Sequence, residues 1–278
     1  MATVLITGCS SGFGQLAAIR FAREGHRVFA SMRNVAKADA LHAAAAAAGV
    51  SVEVVALDVC DSASVQAAVD SVIATAGQID VVVNNAGIEI HGPVHLFGDD
   101  EVARQLDTNV TGVVRMARAV VPHMLERGSG CIVNVGSLAG RVGTPYGGIY
   151  AASKHAVEVI TEAMHFELSQ RGIRLCVVEP GQFATELTNN SSVVTAFTPE
   201  SAEFERRERY RTAQRSLVSG EPADPTLVAD AIYAAATDPV WKLRHPVGAD
   251  ADLVLAVKSQ MSFEDFDTTM RTTLDWHD

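Results

Sequence analysis

Tyr150 and Lys154 stand four residues apart in the stretch GGIYAASKHAV, Gly147 to Val157. At the start of a helix that spacing puts both side chains on one face, with the phenol and the ammonium sharing the same space. A phenol titrates near ~10 in water, and a fixed cation beside it favours the phenolate and lowers that value. Such a pair can move protons near neutral pH. Taken alone, the spacing also fits an ordinary helix start with a half-buried tyrosine and a solvated lysine. The surrounding chain decides between them.

Short β-branched runs (TVLIT, RVFASM, VSVEVVAL, DVVVNNA, CIVNVGS and IRLCVVEP) alternate with helix-length segments, which predicts βαβ units around a parallel sheet. The runs are apolar at nearly every residue, as strands covered on both faces by helices must be. With no Pro/Gly/Ser-rich linker, the expected architecture is a single α/β domain over residues 1–278, a doubly wound Rossmann-type parallel sheet with helices on both faces. The alanine run 43–48 reads as an outer helix closed by Gly49. Regularity lapses after EPGQ. Residues 186–222 are charge-dense and carry no strand pattern, so a helical substrate flap is expected there, with a solvated surface helix as the alternative. DPTLVADAIYAAATD reads as a helix with Asp224 as N-cap and Pro225 in its first turn. RHPVG reads as a strand, and 250–278 as a helical tail.

The strand ends carry polar chemistry. VLITGCSSGFGQLAAIRFA is a strand, a turn bearing Gly8, Gly12 and Gly14, and a helix; there a backbone can approach a pyrophosphate and a helix N-terminus offers free N–H groups. The spacing is G-x-x-x-G-x-G rather than the commoner G-x-G-x-x-G. LDV ends the third strand at Asp58, NNAG the fourth at Asn84 to Gly87, and NVGS the fifth at Ser137. Singly, Asp58 reads as a cap for the helix starting near Asp61, Ser137 as a loop cap and Asn84 as a partner for strand ends. Jointly they meet at the carboxyl edge of the sheet, where open α/β folds bind ligands.

In TGCSSGFG, NNAG, the asparagine of LDTNVTG, NVGS, YAASK and EPGQFAT, residues 3 to 187 resemble the short-chain dehydrogenase/reductase family. The resemblance implies Asn109, Ser137, Tyr150 and Lys154 as catalytic residues. Tyr150 would exchange a proton with the substrate oxygen as hydride moves to or from nicotinamide. Lys154 would bind the nicotinamide ribose and depress the Tyr150 pKa, Ser137 would hydrogen-bond the substrate oxygen, and Asn109, inside a long helix, would order a water. The implied cofactor contacts are Gly8, Ser10, Ser11, Gly12, Phe13, Gly14, Arg33, Asp58, Val59, Asn85, Ala86, Gly87, Tyr150, Lys154, Pro180, Gly181, Phe183 and Thr185. Phe13 replaces the family's usual isoleucine, which would tighten the nicotinamide neighbourhood. A homodimer or homotetramer built on the helices beginning near Asp100 and Tyr150 is also implied.

FASMRN bears on the cofactor. An acid ending the second strand accepts from the ribose 2′-hydroxyl of NAD; here Met32 holds that place, followed by Arg33, whose guanidinium suits a 2′-phosphate. NADP is therefore expected over NAD, with an NAD-dependent alcohol dehydrogenase as an alternative. Another is a non-catalytic dinucleotide-binding sensor, which has no need of a proton donor. The substrate expected is an alcohol or carbonyl compound, medium-sized and apolar, because Val193, Val194, Phe197 and Phe204 offer the flap an apolar underside. Its contacts are expected from His91 to Leu96, Arg141 to Tyr146 and residues 183–220.

Charge excludes other partners. With 33 acidic against 22 basic residues the formal charge is -11, which repels nucleic acid and anionic membrane surfaces. Cys9, Cys60, Cys131 and Cys176 form no C-x-x-C pair and read as free thiols, consistent with a cytoplasmic protein. No apolar run is long enough to span a bilayer. His91 and His95 flank Gly-Pro and lack a third ligand, so no metal is expected.

Overall fold

The computed structural model describes residues 1–183, 191–217 and 223–276. Seven parallel strands form its main sheet: β1 (Thr3–Ile6), β2 (Arg27–Met32), β3 (Glu53–Ala56), β4 (Val81–Asn84), β5 (Gly130–Val135), β6 (Ile173–Pro180) and β7 (Arg244–Val247). Their order is β3-β2-β1-β4-β5-β6-β7, so the winding reverses between β1 and β4. That reversal opens a crevice at the strand C-termini.

Strand periodicity divides the core between two faces. Val4 and Ile6 of β1 pack with Phe21, Val133, Val178 and Ile232 on one side. Leu5, between them, joins Phe29, Val82, Met116, Ile132 and Leu175 on the other. Helices α1 (Gly12–Arg23), α2 (Asp39–Ala47), α3 (Ser62–Ala76), α4 (Asp99–Leu106), α5 (Gly112–Arg127) and α6 (Gly148–Leu168) alternate with the strands. Beyond β6 lie α7 (Ala202–Leu217), α8 (Thr226–Thr237), α9 (Ala249–Ser259) and α10 (Phe263–Thr273).

Three local features depart from the sequence reading. The third strand shrinks from 50–57 to Glu53–Ala56, with both end residues exposed, because as the sheet's edge it pairs only with β2. The long helix around Asn109 is interrupted by a π-helical turn, Asp107–Thr111, between α4 and α5, a distortion that re-aims side chains and recurs at functional sites. The flap region does contain a strand. Ser192–Val193 pairs with Ile90–His91, held by Ser192 N–H to the Glu89 carbonyl at 3.0 Å and Val194 N–H to the His91 carbonyl at 2.9 Å.

Packing also revises the flap's apolar underside. Val194 and Phe197 are buried against Ile90, with Tyr146 and Phe204 at the margin, whereas Val193 is exposed. α8 begins one residue later than expected, with Pro225 rather than Asp224 in the N-cap position, while Asp224 Oδ1 accepts from Thr226 N–H at 2.9 Å just ahead of it. Among the described residues no helix is long and apolar enough to cross a membrane.

Candidate active site

The turn after β1 is built for close approach. Gly8 and Gly12 have φ of +73° and +60°, where a side chain is strained. A Cβ on Gly14 would sit 2.4 Å from Asn85 Nδ2 and 2.5 Å from the Gly8 carbonyl oxygen. Asn85 stitches the β4 end to this turn: its Nδ2 donates to the carbonyls of Thr7 (2.9 Å) and Gly8 (3.0 Å). Thr7 Oγ1 in return accepts from the N–H groups of Asn85 and Ala86, each at 3.0 Å. Ser11 is extended and does not cap α1 with its side chain, so the first-turn N–H groups remain donors for an anion. Space beside Gly12 is open. These features fit a dinucleotide pyrophosphate.

Around this turn, Phe13 packs edge-to-face on Phe183, ring centroids 5.8 Å apart, so its bulk goes into an aromatic contact. Gly181 N–H donates to the Val247 carbonyl, and Asp250 of α9 accepts from Gln182 N–H at 2.7 Å, holding the Pro180–Phe183 segment from behind. Asp58 Oδ1 accepts from Cys60 N–H at 3.0 Å, while the cap of α3 is Asp61, which accepts from Ala63 N–H. Val59 is buried, and Gly112 leaves room for it: a Cβ there would lie 3.0 Å from the valine's own. Gly87 lies beside Asn109, whose Oδ1 would be 3.3 Å from an added Cβ. Thr185 lies outside the described residues.

At the end of β2 a cavity of about 90 Å³ is lined by Ser10, Met32, Arg33, Asn34 and Lys37. Neither Arg33 nor Lys37 makes an ion pair with a described residue, and no acid lines the space. Sequence reasoning missed Asn34 and Lys37. Their signal lay in the turn chemistry, because Asn34 caps a short 3₁₀ helix, accepting from Ala36 N–H, and that turn swings Lys37 back beside Arg33. A larger cavity, about 500 Å³ between α7 and Leu274–Trp276, includes none of these residues.

Across the crevice, α6 delivers Tyr150 and Lys154, both buried, with Lys154 Nζ 5.8 Å from the Tyr150 ring centroid. Ser137 caps the 3₁₀ turn Leu138–Gly140, accepting from Ala139 N–H at 3.1 Å, which places its hydroxyl beside the Tyr150 phenol. Asn109 is drawn inward by the π turn. Its side chain clasps Ile88 through N–H and carbonyl, each at 2.9 Å, and donates to Ser153 Oγ at 3.0 Å. The observed role of its side chain is thus to brace the segment after β4.

The charge balance differs from the sequence expectation. Burial pushes the Tyr150 phenol above its ordinary value, the Glu89 carboxylate raises it further, and the nearby Ser137 hydroxyl opposes them only in part. The neighbouring Lys154 donates its Nζ to the Val135 carbonyl at 2.8 Å, and burial lowers its own pKa to about 8. The site therefore holds a protonated phenol, suited to donating a proton. Glu89, also missed from sequence, pairs with His91 at 3.3 Å; an acid between two isoleucines was its one visible mark. Cys9 is a buried filler bonded to the Ile6 carbonyl, its thiol pushed up to about 12 by burial. Among the described residues no group of three or more metal-ligating side chains comes together.

Residues 2–193 match the short chain dehydrogenase family. The 3-ketodihydrosphingosine reductase of Bacteroides thetaiotaomicron is 39% identical over 194 residues, 68% of this chain and 67% of that protein. Human 17-beta-hydroxysteroid dehydrogenase type 1 is 36% identical over 251 residues, 87% of this chain and 76% of its own. A short-chain dehydrogenase from Streptomyces avermitilis superposes with a TM-score of 0.79 at 31% identity, covering 98% of both chains. Other solved relatives, at 30% and 26% identity, hold NADP and NAD respectively. The chain belongs to the short-chain dehydrogenase/reductase family. It is accordingly an oxidoreductase that acts on CH–OH groups with a nicotinamide dinucleotide.

Proposed function

We propose that this enzyme is an NADP(H)-dependent reductase of a medium-sized apolar ketone or aldehyde, with Tyr150 as its proton donor. The observation that carries this reading is the buried Tyr150–Lys154 pair, with the half-buried Ser137 beside it, at the strand C-termini next to the glycine turn. The bound dinucleotide supplies hydride transfer. Ser137 hydrogen-bonds the substrate oxygen and orients the phenol; Tyr150 delivers the proton, and Lys154 binds ribose and keeps positive charge beside the developing phenolate. Asn109 holds the Ile88 segment that walls the site.

Gly8, Ser10, Ser11, Gly12, Phe13 and Gly14 cradle the pyrophosphate, Asp58 and Val59 the adenine side, and Asn85 to Gly87 with Pro180 to Phe183 the nicotinamide side. The cavity beside Arg33 and Lys37 supports NADP, since two cations without a nearby acid suit a 2′-phosphate. Residues 186–222, of which 191–217 are described, serve as the substrate flap, and the apolar cluster of Ile90, Val194 and Phe197 with Tyr146 and Phe204 at its margin supports an apolar substrate beside it. The reductase and steroid dehydrogenase relatives point the same way.

The outer faces of α5 and α6 expose Val114, Val159 and Phe166; they support a homodimer or homotetramer built on these helices, which light scattering at micromolar concentration tests. A ketone panel followed by NADPH absorbance tests the function. Steroid-sized, aryl or alkyl ketones should outpace polyols assayed with NADP; faster polyol turnover overturns the substrate class, and cofactor binding without turnover on any compound supports a sensor.

A further inference from the structure

Behind Ser137 and Lys154 lies a buried acidic pair that this chemistry does not use. Glu158, 3% exposed, follows Lys154 by one helical turn, and Glu179, 1% exposed, precedes Pro180 at the end of β6. Arg141 Nη1 donates to Glu179 Oε1 at 3.0 Å. Arg244 of β7 donates to Glu158 Oε2 at 3.0 Å, lies 3.6 Å from Glu179 Oε1 and also pairs with Glu162.

The Ser137 loop rests directly on this cluster. A Cβ at Gly136 would sit 3.0 Å from Glu158 Oε1, and one at Gly140 would sit 3.2 Å from Glu158 Cγ and 3.0 Å from the Lys154 carbonyl oxygen. The charged groups facing Glu158 are Lys154 and Glu162 on its own helix, Glu179 from β6, Arg141 from the loop and Arg244 from β7. Lys258 of α9 closes the outer side by donating to the Arg141 carbonyl. Three carboxylates thus meet two guanidiniums. Glu158 Oε1 and Glu179 Oε2 are buried without a hydrogen-bond partner among the described residues, an arrangement a purely structural ion-pair cluster avoids.

We propose that Glu158 and Glu179, clamped by Arg141 and Arg244, form a positioning element that seats the Ser137 loop on α6 and keeps the buried Lys154 ammonium charged. The inference rests on Lys154 as the active-site cation. Burial draws Lys154 down to about 8 while Glu89 and Glu158 pull it back up. Burial and then Glu179 push Glu158 up to about 7, against Arg244 and Arg141.

The test is an NMR titration of protein labelled with [13Cε]-lysine, the Lys154 signal being assigned with Lys154→Met and folding followed by circular dichroism. It needs no turnover, so its outcome is separate from that of the reductase assignment. In the wild type the Lys154 signal should show two steps, one from Glu158 and a higher one from Lys154 itself. Glu158→Gln should abolish the lower step and shift the upper one down by on the order of one pH unit. Glu179→Gln should keep both steps and move the lower one down, because a neighbouring negative charge is gone. An unmoved Lys154 midpoint in folded Glu158→Gln overturns the proposal. Should that variant not fold, a lower step unchanged in Glu179→Gln overturns it equally.

Discussion

Replacing Arg33 with alanine should separate the two nicotinamide dinucleotides. Arg33 follows Met32, which is buried and ends β2 where an acid would meet a ribose 2′-hydroxyl. Its guanidinium and the Lys37 ammonium line a cavity of about 90 Å³ with Ser10 and Asn34. A hydrogen bond to a charged group contributes about 1.5–3 kcal/mol. Arg33 is exposed, so water competes and the lower end applies, which makes the loss roughly 10-fold in NADPH affinity. Lys37→Ala should cost less, since an ammonium acts as a point charge rather than a bidentate fork. The double variant should not reach the product of the two losses, because both cations share one pocket and couple. NADH affinity should change by less than about 2-fold. Dissociation constants from quenching of protein fluorescence, measured for both cofactors at one fixed salt concentration, check the claim. Equal weakening of NADPH and NADH, or a wild type that prefers NADH, would refute the reasoning about this cavity.

Two further outcomes follow from the site's packing. Gly14→Ala should abolish tight binding of either dinucleotide, since its Cβ would collide with Asn85 Nδ2 and the Gly8 carbonyl and pry the turn from the β4 end; unchanged dissociation constants would show that the turn is not the cradle. Lys154→Met should lose turnover yet stabilise the cofactor-free protein. The folded pKa of about 8 lies below the ordinary lysine value of 10.5, so the unfolded chain binds more protons between these values and wild-type stability rises with pH across that window. Below pH 8 the full cost of the buried ammonium is present. Removing it should gain about 1–3 kcal/mol, after allowing for the Val135 carbonyl losing its donor. Urea unfolding at pH 7 and pH 10 should show that gain shrinking at the higher pH; a gain independent of pH contradicts it.

The strands and the Tyr150–Lys154 pair were legible because both are local signals. Apolar runs such as VVVN and CIVNV read the same in sequence and sheet, and a four-residue spacing becomes a shared helix face wherever a helix forms. Features set by through-space contact were not legible. Lys37 joins Arg33 only because the Asn34-capped turn folds back, and Ser192–Val193 becomes a strand only because Ile90–His91 offers it an edge. The π turn at Asn109 has no periodic signature. The sign of the Tyr150 shift was read from its sequence neighbour Lys154, but burial and Glu89, 61 residues away along the chain, outweigh that neighbour.

The proton in the proposed reduction comes from Tyr150. Tyr150→Phe deletes the phenol oxygen and leaves the ring, the Ser137 loop and the glycine turn in place. Single-turnover oxidation of bound NADPH by a ketone that the wild type reduces, followed by stopped-flow absorbance, reads that step directly. The rate should fall by on the order of 10²–10⁴, with NADPH affinity within about 2-fold of wild type; a rate close to wild type would contradict Tyr150 as the proton donor.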